Sequence, residues 1–274
     1  MPDVVKVTWN GVTVIDHSDS TVEADKVLED YIAYEGDGDR IVGAANVFTL
    51  DQIASGNFSG DAVVTGTKIR SGAYRESKIT SVSGNNVTTV GGNACFGCKQ
   101  LTTINLPNVT DFWGNNSEFQ GCTSLTTINM EKLWRIGNNG FYGCTSLVKV
   151  YLPAISQIHN NGFQNCTKLT HFETNNSINF SGGSNFSGCS ALMTLIMRGT
   201  TLRTMTSVNN FAGTTFAETG SHLGHIYVPE SMLSSYRTAT NWSTLYAAYP
   251  DIFLKIEGSD WEDVHIDGTP VSTS

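Results

Sequence analysis

The chain has 274 residues, of which only 15% are charged, against roughly 25% in ordinary soluble domains. Its formal net charge of −9 sits at one end: residues 1–61 carry 12 Asp and Glu against Lys6, Lys26 and Arg40, whereas residues 62–274 balance 13 acidic with 13 basic side chains. The neutral body has no basic footprint for nucleic acid and no segment nears the roughly 18 apolar residues that span a bilayer, so neither nucleic-acid binding nor membrane insertion is expected.

From the N-terminus, Met1-Pro2-Asp3-Val4-Val5-Lys6 lacks the basic segment and apolar run of a secretory signal. That predicts synthesis in the cytoplasm unless a leader has been removed. Ser20-Thr21-Val22-Glu23 has capping-box spacing and predicts a short helix through about Leu28 and Glu29. Glu35-Gly36-Asp37-Gly38-Asp39-Arg40 reads as a hairpin turn between Tyr31-Ile32-Ala33-Tyr34 and Ile41-Val42-Gly43. Asp37 and Asp39 alternate like the start of a calcium loop, but the remaining ligand spacing and closing Glu are missing, so the turn is preferred. Within the N-terminal region 1–61, the segment from Val7-Thr8-Trp9-Asn10-Gly11 through Gly43 is similar to small modules of phage and prophage tail proteins, which read V-T-Y-N-G, a helix, then D-G-x-x-I-x-G. The resemblance implies an attachment module that docks on other virion or tail proteins.

The body is a repeated phrase: a bulky residue, Cys three positions later and a large aliphatic three beyond that. It runs Cys95-Phe96-Gly97-Cys98-Lys99-Gln100-Leu101, then Phe119 to Leu125, Phe141 to Leu147, Phe163 to Leu169 and Phe186 to Leu192, with successive Cys 24, 22, 22 and 23 residues apart. One such unit is too short to bury its own apolar face, so the period predicts a solenoid whose coils stack into a continuous core. Each Leu opens an alternating segment, as in Leu101-Thr102-Thr103-Ile104-Asn105-Leu106, which is the period of a strand with one buried face. A second apolar pair follows in each unit: Val109 and Phe112, Leu133 and Ile136, Ile155 and Ile158. These predict a second strand on the far side of the coil. Asn115-Asn116, Asn138-Asn139 and Asn160-Asn161 fall at bends, where a side-chain amide satisfies backbone groups and tolerates left-handed geometry.

Five of the six cysteines share one slot and are expected to form a buried ladder of thiols. Cys95-x-x-Cys98 has the spacing of a zinc or redox pair, but Cys95 fills the bulky slot of its repeat, which explains the spacing without a metal. With these residues in place, the chain resembles the BspA-type leucine-rich-repeat proteins, whose signature is A-F-x-G-C-x-x-L-x-x-I-x-L-P. The likeness covers roughly residues 62–230, with weaker copies at Ala73–Val82 and Phe211-Ala212-Gly213. It implies a mainly β, right-handed solenoid over 62–228, a small α+β module before it, and a closing segment after it. Ile226-Tyr227-Val228-Pro229-Glu230-Ser231, with Tyr236, Asn241 and Trp242, matches the closing segment, which predicts a helical cap from Pro229 within a terminal region 229–274. Residues 251–274 are expected to be a short strand and a loose tail. Cys95 in the bulky slot and Glu173-Thr174 at a strand end depart from the pattern.

No Ser nucleophile elbow, HExxH or Walker loop is present, and His222 and His225 lack neighbouring carboxylate or thiol ligands in sequence. Neither catalysis, metal nor cofactor is expected. Repeat register places two columns on the exposed strand face: Thr103, Thr127, Lys149, His171, Thr194 and His225, beside Asn105, Asn129, Tyr151, Glu173, Ile196 and Tyr227. Thr103, Asn105, Thr127, Asn129, Lys149, Tyr151, His171, Glu173, His225 and Tyr227 are the candidate ligand-binding residues, suited to a cell-surface protein or saccharide. The expected function is a phage or prophage tail-associated, receptor-binding protein of the virion, in the homo-oligomeric form common among tail proteins; the rival is a secreted bacterial surface adhesin with its leader removed.

Overall fold

A computed structural model describes residues 58–271 apart from 65, 114–115 and 217–222, together with the backbone of four strands nearer the N-terminus. The expected helix over 20–29, Asp37, Asp39 and His222 lie outside the described residues. The four strands form two antiparallel hairpins, β1 (Lys6–Trp9) with β2 (Val12–Asp16) and β3 (Ile32–Tyr34) with β4 (Arg40–Val42). The second hairpin joins the strands expected on either side of the 35–40 turn. Its β4 also pairs antiparallel with β5 (Ser59–Val64), whose other edge starts a parallel array.

From there the strands alternate between two walls. They are β6 (Lys68–Ile69), β7 (Lys78–Ser83), β8 (Thr89–Gly91), β9 (Thr103–Asn105), β10 (Asp111–Trp113), β11 (Thr127–Asn129) and β12 (Arg135–Ile136). They continue as β13 (Lys149–Tyr151), β14 (Gln157–His159), β15 (His171–Thr174), β16 (Asn179–Ser181), β17 (Thr194–Met197), β18 (His225–Val228) and β19 (Phe253–Lys255). The even strands β6 to β16 make one continuous parallel sheet, which is the second strand of each coil read from pairs such as Val109 and Phe112. The odd strands, with β18 and β19, make the opposite wall, and this wall is split: β5 to β11 belong to one sheet and β13 to β19 to another.

Three ladders hold the coils together. Phe119, Phe141, Phe163, Phe186 and Phe211 stack almost parallel, with ring centroids 5.4, 5.2, 5.6 and 5.9 Å apart. All six cysteines are buried and unbridged. Each thiol of the ladder donates to the carbonyl of the residue in the bulky slot of the previous coil: Cys98 to Tyr74 at 2.8 Å, Cys122 to Cys95 at 3.1 Å, Cys144 to Phe119 and Cys166 to Phe141 at 3.2 Å, and Cys189 to Phe163 at 3.0 Å. Burial pushes the thiols of Cys95, Cys122 and Cys166 up, and that of Cys144 up to about 12, so these thiols stay protonated and inert. At the bends, Asn138 Nδ2 donates to Asn116 Oδ1 and Asn160 Nδ2 to Asn138 Oδ1, at 3.3 and 3.2 Å, while Asn139 and Asn161 take φ of 55° and 60°. That is the left-handed geometry the Asn pairs were expected to tolerate.

The turn before each Cys explains the Gly in the signature. Gly121, Gly143 and Gly188 have φ of 74°, 70° and 75°, a region closed to most side chains, and in the one repeat that spells Phe-Gln-Asn-Cys, Asn165 takes φ 62° in the same slot. The C-terminal end is closed as expected, by a 3-10 turn (Glu230–Met232) and two short helices, α1 (Leu233–Thr238) and α2 (Trp242–Ala248). Buried Trp242 packs edge-on against Tyr236 at 5.1 Å and donates its indole N–H to the Arg203 carbonyl at 3.1 Å.

One expectation is corrected. After β19 the chain is not a loose tail: residues 256–271 fold back over the strand wall. Ile256 N–H donates to the Val228 carbonyl at 3.0 Å, Val264 bridges antiparallel to Pro270 around the Asp267-Gly268 turn, and His265 and Ile266 are buried. Val264 stays exposed while the adjacent His265 and Ile266 both turn into the wall, where Ile266 meets Ile196 and Ile256.

Candidate functional site: the strand face

The odd-numbered wall carries the two columns in the register read from the repeats. Thr103 lies opposite Thr127 and Asn105 opposite Asn129; Lys149, His171, Thr194 and His225 follow one another, as do Tyr151, Glu173, Ile196 and Tyr227. The step the sequence could not show lies between β11 and β13, where no strand pairing joins the two sheets among the described residues. Thr126, Thr170 and Met193 each donate their N–H to the preceding coil, at 3.0, 2.9 and 2.9 Å, but Val148 has no such bond.

This split divides the face into two regions of different character. The first, on β9, β11 and the start of β13, is polar and open: Asn105, Thr127 and Lys149 are exposed, and Thr103 and Asn129 half-buried. Asn129 Nδ2 donates to Asn105 Oδ1 at 2.8 Å, and the Thr102 and Thr126 hydroxyls donate to the carbonyls of Thr80 and Thr102. At the split lies an open depression of about 770 Å³, bounded by Thr127, Asn129, Lys149 and Tyr151 from the strands, Glu131 and Lys132 from a turn, and Asp267 from the C-terminal segment.

The second region is covered. Glu173, expected as an exposed ligand group, is fully buried, as is Ile196 in the same column, and Thr194 in the neighbouring column is buried. The cover is the C-terminal segment. Glu173 Oε1 accepts from Arg198 Nε at 2.6 Å and from His265 Nδ1, and Glu173 Oε2 accepts from the Ile266 N–H at 2.7 Å. Arg198 Nη2 donates to the Trp261 and Val264 carbonyls, at 2.7 and 3.3 Å. The buried carboxylate thus takes three hydrogen bonds, two from this segment and one from Arg198, which offset its desolvation. Tyr151 stacks on His265 with centroids 4.4 Å apart, and its hydroxyl lies 3.2 Å from His265 Nε2 and accepts from Asn175 Nδ2 at 3.1 Å. Desolvation pushes the Tyr151 phenol up; desolvation and then the Lys149 ammonium hold the His171 imidazole down. His171 meets Trp261 edge-on at 5.7 Å, while His225 and Tyr227 stay half-buried.

Ile196, Ile256 and Ile266 form a small apolar cluster of their own, with Tyr151, Tyr227 and Trp261 against it, apart from the main core. Sequence reading missed Arg198, Trp261, His265 and Ile266. The available signal was Glu173 itself, an acidic residue in a column whose next member is Ile196. Among the described residues no group of three or more His, Cys, Asp and Glu side chains converges as metal ligands.

The model of the BspA-type leucine-rich-repeat region matches residues 67–193 and 115–243, in six copies. The chain belongs to that family. No curated protein matches it. Among solved structures, this BspA-type chain is similar to a leucine-rich-repeat protein from Bacteroides ovatus, with 20% identity over 72% of this chain and 42% of that one and a TM-score of 0.45. A leucine-rich cell-surface protein from Faecalibacterium prausnitzii gives 20% identity, 69% and 58% coverage and 0.43, and the leucine-rich-repeat protein of T. pallidum 16%, 80% and 97%, and 0.41. The chain thus spans about half the length of the first two structures.

Proposed function

We propose that this BspA-type solenoid is a non-enzymatic recognition protein that binds a cell-surface ligand through the open half of its strand face. The observation that carries the reading is the uncovered polar strip of Asn105, Thr127 and Lys149 beside the depression at the split wall. Side chains on a stacked, hydrogen-bonded wall lose little freedom on binding, which favours recognition. We assign it to a phage or prophage tail, with residues 1–61 as the attachment module and a homo-oligomeric tail assembly as its setting. The likeness of Val7–Gly43 to tail modules supports this. The competing placement is a bacterial surface adhesin.

Fluorescently labelled protein is to be incubated with a panel of intact bacteria, comparing the native chain with the Thr127→Arg, Lys149→Glu double variant, whose changes lie at exposed positions. Selective labelling lost in the variant is the expected result, and labelling unchanged by the variant refutes the strand-face assignment. Detecting the chain on purified virions supports the tail; finding it only on the producing cell's surface selects the adhesin.

A further inference from the structure

The covered half of the strand face holds more recognition chemistry than the open half. Beneath residues 256–271 lie a fully buried carboxylate, its arginine partner, and the aromatic rings of Tyr151 and Tyr227 around Ile196. Tyr and Arg are among the side chains that dominate binding hot spots, and here Tyr151 and Arg198 both meet the covering segment, through His265 and through the Trp261 and Val264 carbonyls.

The segment attaches as a peptide ligand would. It gives Glu173 one main-chain N–H, from Ile266, and one side-chain donor, from His265; it gives Arg198 two carbonyls; and it places one branched side chain, Ile266, against Ile196. Trp261 adds a half-buried contact to the same cluster and to His171, while Glu262, Asp263, Val264 and Asp267 to Pro270 face solvent. Its apolar contacts belong to a cluster separate from the main core, so lifting it leaves the Phe and Cys ladders untouched. Segments with few apolar contacts of their own open well below the cost of global unfolding.

We propose that the part of the strand face on β15, β17 and β18 is a polypeptide-binding site occupied by the chain's own residues 259–271, and that a protein partner docks by replacing them. The partner segment is extended, presents a main-chain N–H and a neighbouring donor side chain to Glu173, offers carbonyls to Arg198, and follows with a branched apolar residue. This site is distinct from the open polar strip, so cell labelling unchanged by the Thr127→Arg, Lys149→Glu variant leaves the present proposal standing, and failure of the peptide titration below leaves the polar-strip reading standing.

The test uses the full chain. His265→Ala with Ile266→Ala removes the anchors of the tethered segment and leaves the wall intact. A labelled peptide of residues 259–271 is then titrated against this variant and against the native chain. Saturable binding to the variant, weakened roughly tenfold or more when Glu173→Gln is added, is the expected result, with the native chain binding far less because its own segment competes. A folded variant that does not bind the peptide overturns the proposal. Native-state hydrogen exchange provides the second reading: the Ile266 amide is expected to exchange at least about tenfold faster than the core amide of Ile104. Equal rates for the two, or collapse of the whole solenoid in the double variant, make the segment a structural part of the fold and overturn the proposal as well.

Discussion

Glu118 sits between Ser117 and Phe119, in a slot that other coils fill with Gly140, Gly162 or Asn185, and it is fully buried. Its Oε1 accepts the Asn116 N–H at 2.9 Å, while Oε2 has no partner. Burial pushes the carboxyl up to about 7, with Asp111 adding to the rise and Arg135 opposing it. Because the folded chain holds the proton more tightly than the unfolded chain, the favourable contribution is complete below about pH 4.5 and is lost as pH rises through about 7. Glu118→Gln is therefore expected to leave stability near pH 4 almost unchanged and to raise it above pH 7 by about 3 kcal/mol, since each tenfold difference in proton affinity between the two states is worth roughly 1.4 kcal/mol. Urea titrations at the two pH values check this, and equal gains at both would refute it. The same slot logic makes the sequence legible residue by residue: a side chain repeated every coil has one environment, so Cys122, Cys144 and Cys166 are readable as core. Glu118 and Glu173 are not, since a buried carboxylate is defined by what faces it.

Among the elements, the strands and turns follow from local pattern. Alternation after each Leu marks the odd strands, the second apolar pair marks the even ones, and the Asn pairs mark the bends. The split between β11 and β13 does not follow, because nothing in Thr126–Met130 or Val148–Leu152 differs in period from its neighbours. Its consequence is measurable. The Val148 amide lacks the inter-coil bond that Thr170 makes at 2.9 Å, so in native-state exchange Val148 is expected to be far less protected than Thr170; equal protection would mean the wall is continuous in solution. The C-terminal segment escapes pattern reading for a related reason. Ser259 to Val271 carries few apolar residues, and only its target on the wall explains why His265 and Ile266 are buried.

For the whole molecule, the core is a single stack in which each coil touches the next, and stability is carried by nearest-neighbour interfaces. Phe163 lies mid-stack, 5.2 Å from Phe141 and 5.6 Å from Phe186, and edge-on to Phe172. Phe163→Ala is expected to cost about 3–5 kcal/mol and to weaken the coupling between the two halves of the array. Urea unfolding should then show a lower midpoint and a shallower slope, with Trp242 in the C-terminal cap reporting a transition separate from that of Trp134. A sharp single transition would instead show that the coils remain one cooperative unit.

The sequence by itself determined the solenoid, its period, the inward ladders and the register of the two strand-face columns, because a short repeat meets the same neighbours in every coil and local pattern suffices. Tertiary structure alone decided which half of that face is open, why Glu173 is buried and what covers it, because those outcomes depend on residues 92 and 93 positions away. Contacts at that separation leave no period in the sequence; they are fixed only when the Glu173 carboxylate meets His265 and Ile266 in the folded chain.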